Sequence, residues 1–328
     1  MNAIFYRLPH TSTLFMQQPS DEIGVQFYDF DGKAQYHFYG EPTEISAKVL
    51  RNLDLEIYLL DRLSEEEGIT AQEYEQKIQE VIAFIKEHHL AKLVISREKK
   101  IFFHHKTISL THTFLELCQA FPQALVYLFI QDGGCWIGAT PEILGQYNIE
   151  QQRFQTMSLA GTLPLNEAWS DKEIEEQQAV TDYIKNQLAP FSSDIQVSET
   201  YSMKSGSIKH LRNDFELSVP PQQVEELIKT LHPTPAVCGM PKDFCKQSIL
   251  NFETHQRQLY TGYIKIQHHG NIYAFVNLRC ARVFQNGLIA YVGGGITAKS
   301  LPAKEWEETE LKSMAIGSHL FFSLSRIF

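Results

Sequence analysis

The feature that most constrains the fold is a succession of three long apolar strands in the last third of the chain: QLYTGYIKIQ, NIYAFVNLRCARVF and LIAYVGG. Their connections, His269-Gly270 and Gln285-Asn286-Gly287, are hairpin-like, so neighbouring strands run antiparallel. The same organisation recurs upstream. ALVYLFIQ and CWIGAT flank a turn at Asp132-Gly133-Gly134, and strand-like sequence continues over residues 141–159. Helices are inserted between these groups. QEYEQKIQEVIAFIKEHHL is amphipathic, with Tyr74, Ile78, Val81, Ile82 and Ile85 on one face. KLVISREKKIFF follows as a strand, then a helix over residues 111–121. Another helix runs from about Asp171 to Leu188, strands fall near 194–201 and 206–217, and a helix begins after Pro220-Pro221. LHPTPAVCGMP is too rich in proline for regular structure and reads as an ordered loop, ahead of a helix over about 242–255. Residues 1–60 read as short strands with turns, one at Asp31-Gly32. No repeat, low-complexity tract or linker divides the chain. The expected class is α+β with large antiparallel sheets.

Composition narrows the function. The chain has 328 residues, is 43% hydrophobic and 21% charged, and carries a net charge of -10. This is a folded globular composition, and its acidity argues against a nucleic-acid groove or an anionic membrane surface. The five cysteines, Cys118, Cys135, Cys238, Cys245 and Cys280, form no C-x-x-C pair, so neither a disulfide framework nor a zinc site is expected. The first residues lack a basic segment followed by an apolar core. No stretch reaches about eighteen consecutive apolar residues, so the cytoplasm is the expected location.

The chemistry concentrates in YVGGGITAKSLPAKEWEETELK, residues 291–312. A strand ends in Gly293, Gly294 and Gly295, and a helix follows with Pro302 in its first turn and Ser300 as a plausible cap. Glu305, Glu308 and Lys312 share one helical face, while Trp306 and Leu311 fall elsewhere and can pack. Taken alone, such a face is more often simply solvated. Two observations shift the balance. The glycine amides can approach an anion closely, and the same carboxylate spacing recurs as Glu173 and Glu176. Two such pairs can meet around one divalent cation.

Other candidates stand alone. Lys92 opens a strand and is either an ordinary strand-end lysine or a desolvated base. Glu142, after Pro141, is either a loop carboxylate or a general acid of raised pKa. His232 in LHPTP can brace a loop. Arg279 sits in an apolar strand and needs a partner anion, from the protein or from a ligand. Tyr260 reads as core but can reach the same anion. The doublets His88-His89, His104-His105 and His268-His269 read as surface pairs, since adjacent side chains point apart.

Nine segments together carry a resemblance: KLVISR, WIGATPEIL, SLAGT, DKEIEEQ, IKHL, LHPTPAVCGMP, RQLYTGYIKI, FVNLRCARV and VGGGITAKSLPAKEWEETELK. In this order the chain resembles the chorismate-utilising enzymes, which include anthranilate, aminodeoxychorismate, isochorismate and salicylate synthases. The resemblance covers residues 90–328 as the catalytic core, while residues 1–90 match weakly. It implies one domain over 1–328, with a core of two mainly antiparallel sheets and helices outside. It implies Mg2+ bound by Glu176 and Glu308, with Glu173 and Glu305 close behind. Lys312 and the amides near Gly294 and Gly295 would hold the ring carboxylate of chorismate, and Arg279 and Tyr260 the enolpyruvyl carboxylate. Gly161, Thr162 and His232 would line the pocket.

Two positions sort the branches. Those delivering ammonia carry glutamine where Lys92 stands, and those delivering water carry lysine, because attacking water must lose a proton. Aminodeoxychorismate synthases carry a lysine where this chain has Ala160. The chain therefore resembles the water branch, closest to isochorismate synthase. Lys92 would activate water and Glu142 would protonate the departing hydroxyl. A salicylate synthase and a non-catalytic chorismate-binding relative are the alternatives. No glutaminase partner is expected, and the protein is expected to be a monomer. The product's pathway, menaquinone, siderophore or salicylate, is left open. Gln177, where many members have histidine, Arg212, where threonine is usual, and Tyr263 depart from the pattern.

Overall fold

The computed structural model of the chain describes residues 2–66, 68–104, 106–205 and 208–323. Strands β1 (Ala3–Arg7), β2 (Phe15–Tyr28) and β3 (Ala34–Glu44) lead through α1 (Ala47–Arg51) to α2 (Ala71–Glu87). Next come β4 (Leu93–Phe102), β5 (Thr107–Ile108), α3 (Leu110–Ala120), β6 (Leu125–Gln131), β7 (Gly134–Thr140), β8 (Ile143–Asn148) and β9 (Arg153–Pro164). Helix α4 (Asp171–Leu188) precedes β10 (Ile195–Val197), β11 (Tyr201–Ser205) and β12 (Ile208–Ser218). Helices α5 (Val224–Leu231) and α6 (Lys242–Phe252) are followed by β13 (Tyr263–His268), β14 (Asn271–Val276), β15 (Cys280–Phe284) and β16 (Gly287–Ile296). Helix α7 (Pro302–Gly317) and the short β17 (Phe322–Ser323) complete the described chain.

The class is α+β, as the hairpin pattern predicts. The two layers expected are halves of one continuous 15-stranded ladder, ordered β10-β12-β9-β8-β14-β13-β2-β1-β6-β7-β15-β16-β4 with β11 and β3 attached beside it. The separate second sheet among the described residues is only β17 with β5. The ladder curls, and one apolar cluster draws Ile264, Ile266 and Phe275 from one half against Tyr127, Phe129 and Trp136 from the other. Polar contacts cross the same gap: the Tyr127 hydroxyl donates to Asn277 at 2.8 Å.

The first 28 residues are the join between the halves. Tyr28 pairs with Tyr263 on β13, and Tyr6 pairs with Tyr127 on β6. The expected short N-terminal strands are instead long in two cases, 14 residues in β2 and 11 in β3. The pairing of β2 with β3 shifts register between Gln18 and Ile23, between Ile23 and Val25 and between Phe27 and Tyr28, which interrupts the alternation, so the sequence shows only fragments of each strand.

NIYAFVNLRCARVF is likewise not one strand. It breaks at residues 277–279, where the chain leaves β8 and β13 for β7 and β16. Asn277 fixes the break: it is fully buried, accepts from Tyr127 and donates to the Leu259 carbonyl at 3.0 Å. A buried amide so satisfied costs little, whereas in a regular strand it would be orphaned.

Helix α2 closes the edge beyond β4. A capping box of Thr70 and Glu73 starts it, and its Tyr74, Ile78, Val81 and Ile85 pack on Leu93, Ile95 and Ile296. Each such burial stabilises by about 1.5–3 kcal/mol. No helix among the described residues is long and apolar enough to cross a membrane.

Candidate active site

Register brings four strand ends to one edge of the ladder. Cys280 pairs with Gly138 on β7 and with Tyr291 on β16, and Ile296 on β16 pairs with Leu93 on β4. The start of β4, the end of β7, the start of β15 and the end of β16 therefore lie side by side. Those ends carry Lys92, Glu142, Arg279, and Gly294 with Gly295 respectively.

The glycines matter for their missing side chains. A Cβ on Gly294 would stand 3.1 Å from Glu305 Oε2 and 3.8 Å from Glu308 Oε1, so the helix carboxylates occupy that space. A Cβ on Gly295 would stand 3.7 Å from Cδ of Lys92. Successive strand positions face opposite ways, so the glycine run admits α7 on one side and the lysine stem on the other. Lys312 closes the arrangement, ion-paired to Glu308 at 2.6 Å and donating to the Gly293 carbonyl at 2.8 Å. The shared face of Glu305, Glu308 and Lys312 is thus present. Burial raises the Glu305 carboxyl, opposed by a Ser300 hydrogen bond and reinforced by the Glu308 charge.

Lys92 and Glu142 face one another electrostatically. Burial holds the Lys92 ammonium below its usual range, against the pull of Glu176 and then Glu142. Burial likewise pushes the Glu142 carboxyl up to about 7, with Lys92 and a hydrogen bond from Thr234 acting the other way. The Thr234 hydroxyl donates to Glu142 at 3.4 Å. A lysine whose charged form is disfavoured, coupled to a carboxyl whose charged form is also disfavoured, meets the requirement for general acid–base work.

Helix α4 approaches from the far half of the ladder. Glu173 caps its first turn through the Ser170 amide at 3.1 Å and is buried, while Glu176, one turn on, is exposed. Gln177 is buried, and its amide donates to Asn213 at 2.8 Å and Ser158 at 2.9 Å, fastening α4 to β12 and β9. Gly161, at φ 65, is the extra residue of a bulge opposite His210 and Leu211. A Cβ there would press on Glu173 at 3.2 Å. Ala160, just before it, is buried. Thr162 is in β9, and its side chain lies outside the description.

His232 ends α5 and is buried. Its Nε2 lies 3.2 Å from the Phe30 carbonyl, so Nε2 carries the proton, and the buried Nδ1 is an acceptor with no partner among the described residues. Burial lowers its pKa to about 3, keeping it neutral. Tyr260 is buried in the turn before β13 and stacks on Tyr291, with centroids 6.1 Å apart.

Several expectations need correction. Arg279 is not within a strand: it stands in the bend before β15, exposed, at φ 47. Among the described residues no carboxylate pairs with it, and its guanidinium lies 5.8 Å from the Phe121 ring. Ser300 does not cap α7, whose cap position is Leu301. Its hydroxyl instead accepts from the Thr297 amide at 3.0 Å. Leu311 does not pack, being 69% exposed on the outer side of α7. His268 is buried against Tyr6, whose hydroxyl lies 3.0 Å from its Nδ1, because this end position of β13 faces the core. His88, His89 and His104 are exposed, and His105 lies outside the described residues. Arg212 pairs with its neighbour Asp214 on the face away from α4, and Tyr263 stacks on Tyr28 at 4.1 Å.

Other residues of the site escaped the sequence. Thr234 beside Glu142 is one, and Arg97 under α7 is another. A third is the buried pair Glu253–Arg257, whose carboxylate also accepts from the Ser96 amide at 2.7 Å. Arg97 had a signal: a charge in LVISR on the same face as Leu93 and Ile95.

Among the described residues no three His, Cys, Asp or Glu side chains form a ready cluster for a metal. Glu305 and Glu308 nonetheless crowd one glycine, with a raised carboxyl between them. An all-carboxylate pair open to solvent and substrate suits Mg2+, which keeps waters and takes few protein oxygens.

A family model described as chorismate binding enzyme matches residues 47–321, and the chain belongs to that family. It is 34% identical over 194 residues to isochorismate synthase DhbC of Bacillus subtilis (strain 168), covering 54% of this chain and 48% of that one. The chain thus matches about half the length of such curated relatives. The fold is similar to that of MenF, the menaquinone-specific isochorismate synthase of Escherichia coli. The TM-score is 0.78 at 18% identity, over 98% of this chain and 89% of that one. Anthranilate synthase component I of Streptococcus pneumoniae TIGR4 gives a TM-score of 0.72 at 16% identity, over 96% and 92%. The common fold is shared by enzymes with different names, so the reaction has to be argued from the site.

Proposed function

We propose that the protein is an isochorismate synthase, a Mg2+-dependent isomerase that converts chorismate to isochorismate. The observation that carries this reading is Lys92 beside Glu142, one pKa lowered and the other raised to about 7, at the edge where Gly294, Glu305 and Glu308 meet. Relatives named as isochorismate synthases support it. Ala160 supports it too, since alanine cannot form a covalent intermediate.

Lys92 takes a proton from the water that attacks C2 of the ring. The double bonds shift, and the C4 hydroxyl leaves as water with the proton of Glu142. One proton passing back from Lys92 to Glu142 resets the pair, so the reaction is balanced without another reagent. Thr234 orients the Glu142 carboxyl for that donation. Arg279, with no carboxylate of its own among the described residues, suits the enolpyruvyl carboxylate, with Tyr260 beside it. Lys312 and the amides of Gly294 and Gly295 hold the ring carboxylate, and Gly161, Thr162 and His232 line the pocket. Mg2+, bound by Glu176 and Glu308 with Glu173 and Glu305 behind them, would supply charge to neutralise that ring carboxylate. Chorismate is the one partner required. No glutaminase subunit is needed when water is the nucleophile, and the enzyme is expected to act as a cytoplasmic monomer.

The test is incubation with chorismate and Mg2+, with products separated by chromatography. Isochorismate as the released product supports the reading. Salicylate and pyruvate forming in step with chorismate loss, with no added lyase, would make it a salicylate synthase. A change in tryptophan fluorescence without turnover would make it a binding protein.

A further inference from the structure

One buried side chain fastens α7 to β4. Arg97 is 3% exposed. Its guanidinium carbon lies 3.9 Å from the centre of the Trp306 ring and 5.7 Å from that of Tyr74 on α2. Its Nε donates to Thr309 Oγ1 at 2.8 Å, and its Nη2 is ion-paired with Glu310. Thr309 is fully buried, and its hydroxyl donates in turn to the Trp306 carbonyl at 2.7 Å. Lys99, two residues along β4, binds the other Glu310 oxygen.

These contacts exceed what packing alone asks for. A buried guanidinium is costly unless its donors are met, and an aliphatic side chain would fill the same space without that cost. What the planar fork adds is direction: a stacked face, a hydroxyl and a carboxylate are met at once. Trp306, Thr309 and Glu310 share one side of α7, and Glu305, Glu308 and Lys312 share the adjacent side. A helix is stiff, so fixing one side fixes its rotation and hence the direction of the other. The tolerance is small, because Glu305 Oε2 lies only 3.1 Å from where a Gly294 Cβ would stand.

We infer that Arg97 is a positioning residue that sets the rotation of α7 and thereby holds Glu305 and Glu308 over Gly294. It touches no reacting atom. Its consequence for Mg2+ rests on the function proposed above, whereas its hold on α7 does not.

Two measurements test this on the full chain. The first is amide hydrogen exchange over residues 302–317 without metal. The second is the Mg2+ concentration giving half-maximal chorismate turnover. In Arg97→Met, exchange in 302–317 should quicken by at least about tenfold while that of β6 and β7 is unchanged. The half-maximal Mg2+ concentration should rise at least about tenfold, with kcat at saturating Mg2+ within about threefold of the parent, since a displaced ligand pair is refilled by mass action. Arg97→Lys keeps the charge but not the fork, and should fail to restore either value. Unchanged exchange and an unchanged Mg2+ midpoint in folded Arg97→Met would overturn the inference, as would full restoration by lysine. If the methionine variant does not fold, Thr309→Val and Glu310→Gln carry the test, with smaller shifts of the same sign. No shift in either would overturn it. If the parent protein does not turn over chorismate, the functional reading fails, and the exchange experiment alone decides the hold on α7.

Discussion

At the scale of the residue, two ionisable side chains with displaced pKa values dominate. Lys92→Gln removes the base for water and leaves the carboxylate-binding groups in place. We expect kcat to fall by about 10²–10⁴-fold with KM little changed, measured by steady-state turnover of chorismate. Retained kcat would mean that another group activates the water. Glu142 makes a prediction about stability. Its folded pKa, about 7, lies above the usual 4.5, so the native state disfavours the charged form. Its contribution is fully present below pH 4.5 and is lost as pH rises through about 7. Glu142→Gln should therefore be more stable than the parent at pH 8, by on the order of 3 kcal/mol and with a higher melting temperature, and differ little at pH 4.5, even as it abolishes turnover. Equal melting temperatures at pH 8 would show that the carboxyl is not desolvated. Both residues were legible as types in the sequence. Their environment was not, because Thr234, Glu176 and Gly295 come from distant parts of the chain and meet only through the register of the ladder.

At the scale of the element, the strand–glycine–helix unit of β16 and α7 was readable in outline. The spacing of Glu305, Glu308 and Lys312 specifies a face, and the Lys312–Glu308 pair is on it. What the spacing could not specify was the side by which α7 is anchored, since Arg97 lies more than 200 residues earlier and Leu311 looks as apolar as any core residue. Nor could it locate the break at residues 277–279, where a buried Asn277 overrides an otherwise continuous strand pattern. Glycine at 294 separates packing from function. Gly294→Ala removes an unfavourable strand glycine, worth about 0.5–1 kcal/mol, while crowding Glu305 Oε2 at 3.1 Å. The variant should melt at or slightly above the parent temperature, yet need several times more Mg2+ for half-maximal turnover. An unchanged Mg2+ requirement would dissociate the glycine from the carboxylates. Glu308→Gln should cost more, abolishing turnover at ordinary Mg2+ levels, and activity in excess chelator would remove the metal from the account.

At the scale of the whole molecule, the least recognisable stretch of sequence occupies the middle of the ladder. Strands β1 and β2 join the two halves, with Phe5, Tyr6 and Phe27 almost fully buried, although both precede residue 47, where the family model's match begins. A strand's identity is set by shape and burial more than by named residues, so it leaves little motif behind. Deleting residues 1–28 should abolish the cooperative thermal transition, followed by circular dichroism, by leaving β6 and β13 each unpaired along one edge. A cooperatively folded product would show that the halves join in another way. The most direct test of the central claim, that Lys92 delivers water to C2, is turnover in water labelled with heavy oxygen. Mass spectrometry of the isolated product should find isochorismate carrying the label in its new ring hydroxyl. Isochorismate without the label would mean that the original hydroxyl had migrated, and the account of Lys92 and Glu142 would be wrong.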